Sequence, residues 1–334
     1  MTEHSKINRE TADRAPKATS LFERADAIFG LDNLAPSNVP GNLPVAKVPA
    51  KRLAPQPETR GQVQSAPIPV APTPQPQAPE AVAAPSPERA VTFSGPLMKI
   101  DREFLTKANL IVPEDPVTGL LEEFRIVKRE LLVDARAAGN DAARRILVCS
   151  PLPGEGKTYC ATNLAIALAA ERDIEVVLVD ADMINPSITR RLGIEAGAGL
   201  MDALADKTIK PEELVSPTDI EGLFIMPAGT SSAHDAEYLT SARTAQVVDR
   251  LTRGAPNRFI IFDTPPALAA SPAAELAAHV GQALLVVRAD ETSRAALADA
   301  RNLLSACPDI KLLLNAAQFS PSGRRFGDYG EGKE

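Results

Sequence analysis

The sequence predicts an α/β fold: a doubly wound, mostly parallel sheet with helices on both faces, preceded by a long disordered proline-rich region. Three observations predict it. Short continuous apolar runs of strand length recur through the carboxy-terminal two thirds, helical segments separate them, and a glycine-rich loop joins the first run to the helix behind it. Continuous apolar strands alternating with helices are the pattern of a sheet covered on both faces.

Taken in order, the chain of 334 residues begins with a part that does not read as folded, since half of its 30 prolines lie between Pro36 and Pro96. Such a segment buries too little apolar surface to offset the entropy of ordering it. Residues 1–95 are therefore expected to be disordered, apart from a short amphipathic helix near 20–30. There Ser20 and Glu23 suit a capping box ahead of Ala25, Ile28 and Phe29. That helix is either a docking motif or a piece that folds back. Pro67 to Pro79 favours extended polyproline II, as a spacer or a peptide ligand.

From Val117 to about Ala138 the spacing predicts a helix with Leu120, Leu121, Phe124, Val127, Leu131 and Leu132 on one stripe. The predicted strands follow: Ile146 to Cys149, Val176 to Val179, Leu223 to Met226, Phe259 to Phe262, Leu284 to Val287 and Leu312 to Leu314. The folded domain is expected over 96–318, with a flexible tail over 319–334. A net charge of -7 argues against a nucleic-acid binder. The three cysteines, Cys149, Cys160 and Cys307, have no paired or metal-ligand spacing and read as core residues. No run is long enough to span a bilayer and the amino terminus lacks the apolar core of a signal peptide, so a cytoplasmic location without direct membrane insertion is expected.

The strongest functional signal is Ser150-Pro-Leu-Pro-Gly-Glu-Gly-Lys-Thr158, between a strand and a helix. Following Pro153, which shapes the turn, backbone amides from Gly154 to Tyr159 can turn around phosphate, chiefly at Gly154, Glu155 and Gly156. Lys157 can reach the β and γ phosphates, and Thr158 can ligate Mg2+. This is a Walker A loop with Pro151 where the strict pattern has glycine. Two further strands end in carboxylates, at Asp180 and Asp182 and at Asp263. Beside such a loop, one carboxylate would hold magnesium and another would take the proton of an attacking hydroxyl. Asn315, ending the last strand, suits either adenine recognition or a simple turn.

These three motifs make the chain resemble the bacterial tyrosine kinases (BY-kinases) of polysaccharide synthesis and export, P-loop NTPases without the eukaryotic kinase fold. Within them it is most similar to the exosortase-associated autokinases, through Ser20-Leu-Phe-Glu-Arg24, Ile100-Asp-Arg102 and Glu122-Glu-Phe-Arg-Ile-Val-Lys-Arg129. The partition and septum-site ATPases share the general fold but carry a signature lysine where this chain has Leu152. The resemblance implies ATP and Mg2+ as cofactors, with Lys157, Asp180, Asp182 and Asp263 catalytic and Thr158, Asp180 and Asp263 at the metal. It implies a homo-oligomeric ring through Glu122, Arg125 and Lys128, with lysine at 128 in place of the usual arginine; in the segment after Asp182, Ile184 stands where the family often has arginine. It also implies an inner-membrane chain-length partner that recruits the protein to the inner face of the membrane. The family phosphorylates a carboxy-terminal tyrosine cluster between subunits. This chain has three tyrosines in all, and only Tyr329, within Phe326-Gly-Asp-Tyr-Gly-Glu331, has an acceptor's flexible setting. An ATP-binding scaffold or an ATPase with little kinase activity is the alternative function.

Overall fold

The computed structural model describes residues 89–317. The segment at 20–30, the proline-rich stretch and Tyr329 lie outside them. Seven strands form one sheet in the order β3-β4-β2-β5-β1-β6-β7. They are β1 Arg145–Cys149, β2 Glu175–Asp180, β3 Ser216–Pro217, β4 Leu223–Met226, β5 Arg258–Asp263, β6 Gln282–Arg288 and β7 Ile310–Asn315. All neighbours are parallel except β3 against β4. The six expected runs are all strands. The seventh, β3, has no apolar run to announce it and sits at the sheet edge, where a proline is tolerated.

Alternation along the strands divides the core into two layers. Ile146, Val148, Leu178, Ile261 and Leu284 face one layer with α2 (Gly119–Ala138) and α3 (Lys157–Ala169). Leu147, Val179, Phe262 and Leu285 face the other. There they meet α5 (Leu200–Ala205), α6 (Asp235–Thr240), α7 (Ala242–Thr252), α8 (Pro272–Ala277) and α9 (Arg294–Leu303). The short helices α1 (Arg102–Lys107) and α4 (Ile188–Leu192) pack together. Cys149, Cys160 and Cys307 are all buried free thiols, and burial pushes Cys149 up to about 11 and Cys160 up to about 12. No helix among the described residues is long and apolar enough to cross a membrane.

The chain is already packed before Pro96. The Arg258 guanidinium lies 4.0 Å over the Phe93 ring and donates to the Val91 carbonyl at 3.0 Å. The Gly95 amide donates to the Val215 carbonyl at 3.1 Å. Residues 91–95, read above as part of the disordered region, thus belong with the domain; a cation–π pair and hydrogen bonds to backbone carbonyls hold this segment, and sequence periodicity registers neither. The Ile100-Asp-Arg102 triplet is a local brace. Ile100 is buried, Asp101 caps α1 by accepting from the Glu103 amide at 2.8 Å, and Arg102 pairs with Glu114 at 2.7 Å and Asp219 at 3.1 Å.

α2 starts at an N-cap, Thr118, whose hydroxyl accepts from the Leu121 amide, and ends at Gly139 in the left-handed conformation. Its three predicted ring residues do not act alike. Glu122 and Arg125 pair with each other on the surface. Lys128 instead turns inward, with its side chain only 10% exposed, donates to the Ala167 carbonyl at 2.8 Å and pairs with Glu171 at 2.7 Å. Its charge is therefore engaged within the chain and is not presented to a neighbouring subunit in the way the resemblance implies. The long apolar stem lets the ammonium reach the carboxyl-terminal end of α3, where carbonyls and helix dipole favour a cation.

Candidate nucleotide site

The site lies at the carboxyl ends of β1, β2 and β5, where a doubly wound sheet binds its ligands. After β1 the loop turns through Gly154 at φ +84° and Gly156 at φ +95° into α3. Gly156 caps that helix without a side-chain hydrogen bond, so the first amides of α3 remain open to an anion. A Cβ on Gly156 would come within 2.1 Å of Asn315 Nδ2, so glycine is required by space as well as by φ. Pro153 and Gly154 are exposed at the outer edge of the loop. The loop is stitched to the segment after β5, with the Ala267 amide donating to the Ser150 carbonyl at 2.8 Å and Leu268 to Pro151 at 3.2 Å.

Register brings the acidic strand ends together, because Asp180 on β2 pairs with Asp263 on β5, itself beside Val148 on β1. The three aspartates then take different roles. Asp180 is an anchor: its Oδ2 accepts from the amides of Ser187 and Ile188 at 3.0 and 3.1 Å, and its Oδ1 from the Asp182 amide at 3.2 Å. Burial pushes its carboxyl up, while those amides favour the anion. Asp182 pairs with Lys157 at 2.8 Å, both side chains being largely buried. Asp263 is fully buried with neither oxygen in a well-formed hydrogen bond, and burial pushes it up to about 7 against the pull of the Lys157 charge and of the Thr158 hydroxyl.

A buried carboxylate with no partner is costly unless a ligand completes it. Thr158 is buried and faces this cluster, its hydroxyl 3.4 Å from that of Ser187. Among the described residues no group of three or more His, Cys, Asp or Glu could hold a metal by themselves. Thr158 and Asp263 form a donor pair that would fit a magnesium ion keeping waters and phosphate oxygens. Asp180, expected at the metal, has its oxygens taken by backbone amides.

Two other expectations change in detail. The Tyr159 ring, on the first turn of α3, packs against the core, and burial pushes its hydroxyl up. Asn315 Nδ2 donates to the Glu155 carbonyl at 2.8 Å, so this side chain braces the loop. Ser187 and Thr292, both at the site, carried no motif of their own.

The fold and loop define a P-loop NTPase. The ParA family, described as NUBPL iron-transfer P-loop NTPase, matches residues 141–313, more than half of the chain, and the chain belongs to this family. Curated proteins that it resembles are named as bacterial tyrosine-protein kinases. It is 30% identical over 220 residues to the putative tyrosine-protein kinase EpsB of Ralstonia nicotianae, covering 65% of this chain and 27% of that protein. It is 27% identical over 224 residues to the tyrosine-protein kinase YwqD of Bacillus subtilis, covering 66% of this chain and 91% of that one. The chain thus spans about a quarter of the length of EpsB but nearly all of YwqD. The kinase domain of the Escherichia coli tyrosine kinase ETK shares the fold, with a TM-score of 0.55 and 22% identity over 70% of this chain and 94% of that one.

Proposed function

We propose that this chain is an ATP- and Mg2+-dependent protein-tyrosine autokinase of the exosortase-associated kind, which phosphorylates Tyr329 in the tail of a neighbouring copy and so regulates exopolysaccharide or capsule synthesis. The observation that carries it is the buried, partnerless Asp263 beside Lys157, Asp182 and the open amides of α3. The loop amides and Lys157 bind the phosphates and offset charge on the γ-phosphoryl group. Thr158 and Asp263 would hold magnesium, which when bound supplies further charge compensation. The tyrosine oxygen bonds to the γ-phosphorus as the bond to the bridging oxygen breaks, ADP leaves, and the phenolic proton passes to Asp182. Asp182 suits that role because Lys157, its partner in this structure, is the side chain that turns to phosphate.

Leu152, 40% exposed where the partition ATPases carry their signature lysine, favours the kinase reading over an ATPase of that group. The three buried, separated cysteines speak against iron transfer by thiolates. On this reading the protein is cytoplasmic, binds no nucleic acid, and is recruited to the inner face of the membrane by a polysaccharide chain-length protein. Its ring would use Glu122 and Arg125 without Lys128. The alternative is an ATP-binding scaffold or ATPase with little kinase activity, and the ParA family match keeps that reading in play.

A mixing experiment tests the proposal. Chains lacking the lysine (Lys157→Met) but keeping Tyr329 are incubated with Tyr329→Phe chains and Mg-ATP. Phosphate on Tyr329 of the lysine-less chain is the expected result. Its absence, with wild type labelled alone, contradicts transfer between subunits.

A further inference from the structure

We propose that Thr292, on the loop after β6, is a positioning residue for the phosphate loop and acts through the side chain of Glu155. The proposal rests on the nucleotide-site reading above and adds a residue outside its motifs. Glu155 stands between the two left-handed glycines, the part of the loop with the greatest conformational freedom, yet it is only 4% exposed. Its Oε2 accepts from the Leu152 amide at 2.7 Å, and its Oε1 accepts from the Thr292 hydroxyl. The Thr292 oxygen in turn accepts from the Arg288 amide at 2.9 Å, which leaves its proton for Glu155. The Glu155 carbonyl is held separately by Asn315. The loop after β6 and the end of β7 thus grip one residue of the P-loop, the first by its side chain and the second by its backbone.

The chemistry of the ligand explains why this matters. A phosphate cradle works by amides fixed before the ligand arrives, and a carboxylate inside it would repel the phosphates if it swung outward. Thr292 keeps the Glu155 charge turned away and the loop set. Removing the hydroxyl both frees an anion at the cradle and leaves a buried acceptor without its donor.

Titration with a fluorescent ATP analogue and Mg2+ tests this without requiring kinase activity. Thr292→Val should weaken binding about tenfold, the equivalent of one strong polar contact. Thr292→Ser should restore it, and in a Glu155→Gln background, where no charge is released, the valine should cost less. In turnover assays the loss should fall on KM for ATP more than on kcat. Wild-type affinity in Thr292→Val, or failure of serine to restore binding, would overturn the proposal, as would a lowered melting temperature with unchanged affinity. Wild type that does not bind the analogue at all would instead overturn the nucleotide reading, and the proposal with it.

Discussion

Replacing Asp263 by asparagine should make the nucleotide-free protein more stable while costing it about a hundredfold or more in metal-dependent phosphoryl transfer. The two effects share one cause. Asp263 bears the full cost of burial, with no well-formed hydrogen bond to either oxygen, and its carboxyl is pushed up to about 7. An acid whose folded value is raised binds more protons in the folded chain than in the unfolded one between its ordinary value near 4 and 7. Stability therefore falls as pH rises through that window and levels off above it. At about 1.4 kcal/mol per unit, the accumulated penalty is on the order of a few kcal/mol. An asparagine carries no such charge, so the gap between variant and wild type should open from about pH 4 to about pH 7. Urea unfolding of the nucleotide-free proteins across that range measures it. A difference independent of pH would contradict the assignment of Asp263 as the unpaired ligand of the site.

Lys157→Met should reduce phosphoryl transfer by about a thousandfold and destabilise the fold as well. In the nucleotide-free protein the lysine is the partner of Asp182, whose side chain is 3% exposed. Removing one member of a buried pair leaves the other uncompensated, at a cost of about 3–5 kcal/mol. The Asn185 amide, which donates to Asp182 at 3.0 Å, offsets only part of this. The double variant Lys157→Met with Asp182→Asn should therefore be more stable than Lys157→Met alone, though equally inactive. Urea unfolding of the four members of this cycle measures the coupling; simple additivity would mean that the pair contributes nothing.

Much of this was legible in the residues, and where it was not the reason is physical. Continuous apolar runs fix strands buried on both faces, so six of the seven were readable, while Ser216–Pro217 forms a strand only because the β4 edge is there to pair with it. The glycine loop and the strand-end acids mark the site because they lie at fixed steps from strands. Spacing could not separate the three aspartates, since their roles depend on which amides of residues 182–188 fold back onto β2. The family resemblance puts Lys128 in a ring interface with Glu122 and Arg125. Lys128 equally lies one turn from Phe124 and Leu131, both buried, and that periodicity held the signal of an inward-facing lysine. Thr292 had no local signal, because its partner is 137 residues away in sequence.

The most direct test of the central claim is the chemical identity of the group that receives phosphate. The full chain is incubated with Mg2+ and ATP labelled at the γ position, and the labelled amino acid is identified after hydrolysis, with Lys157→Met alongside. Phosphotyrosine in the wild type and none in the variant is the predicted result. ATP consumed to free phosphate, with no phosphotyrosine in either protein, would contradict it.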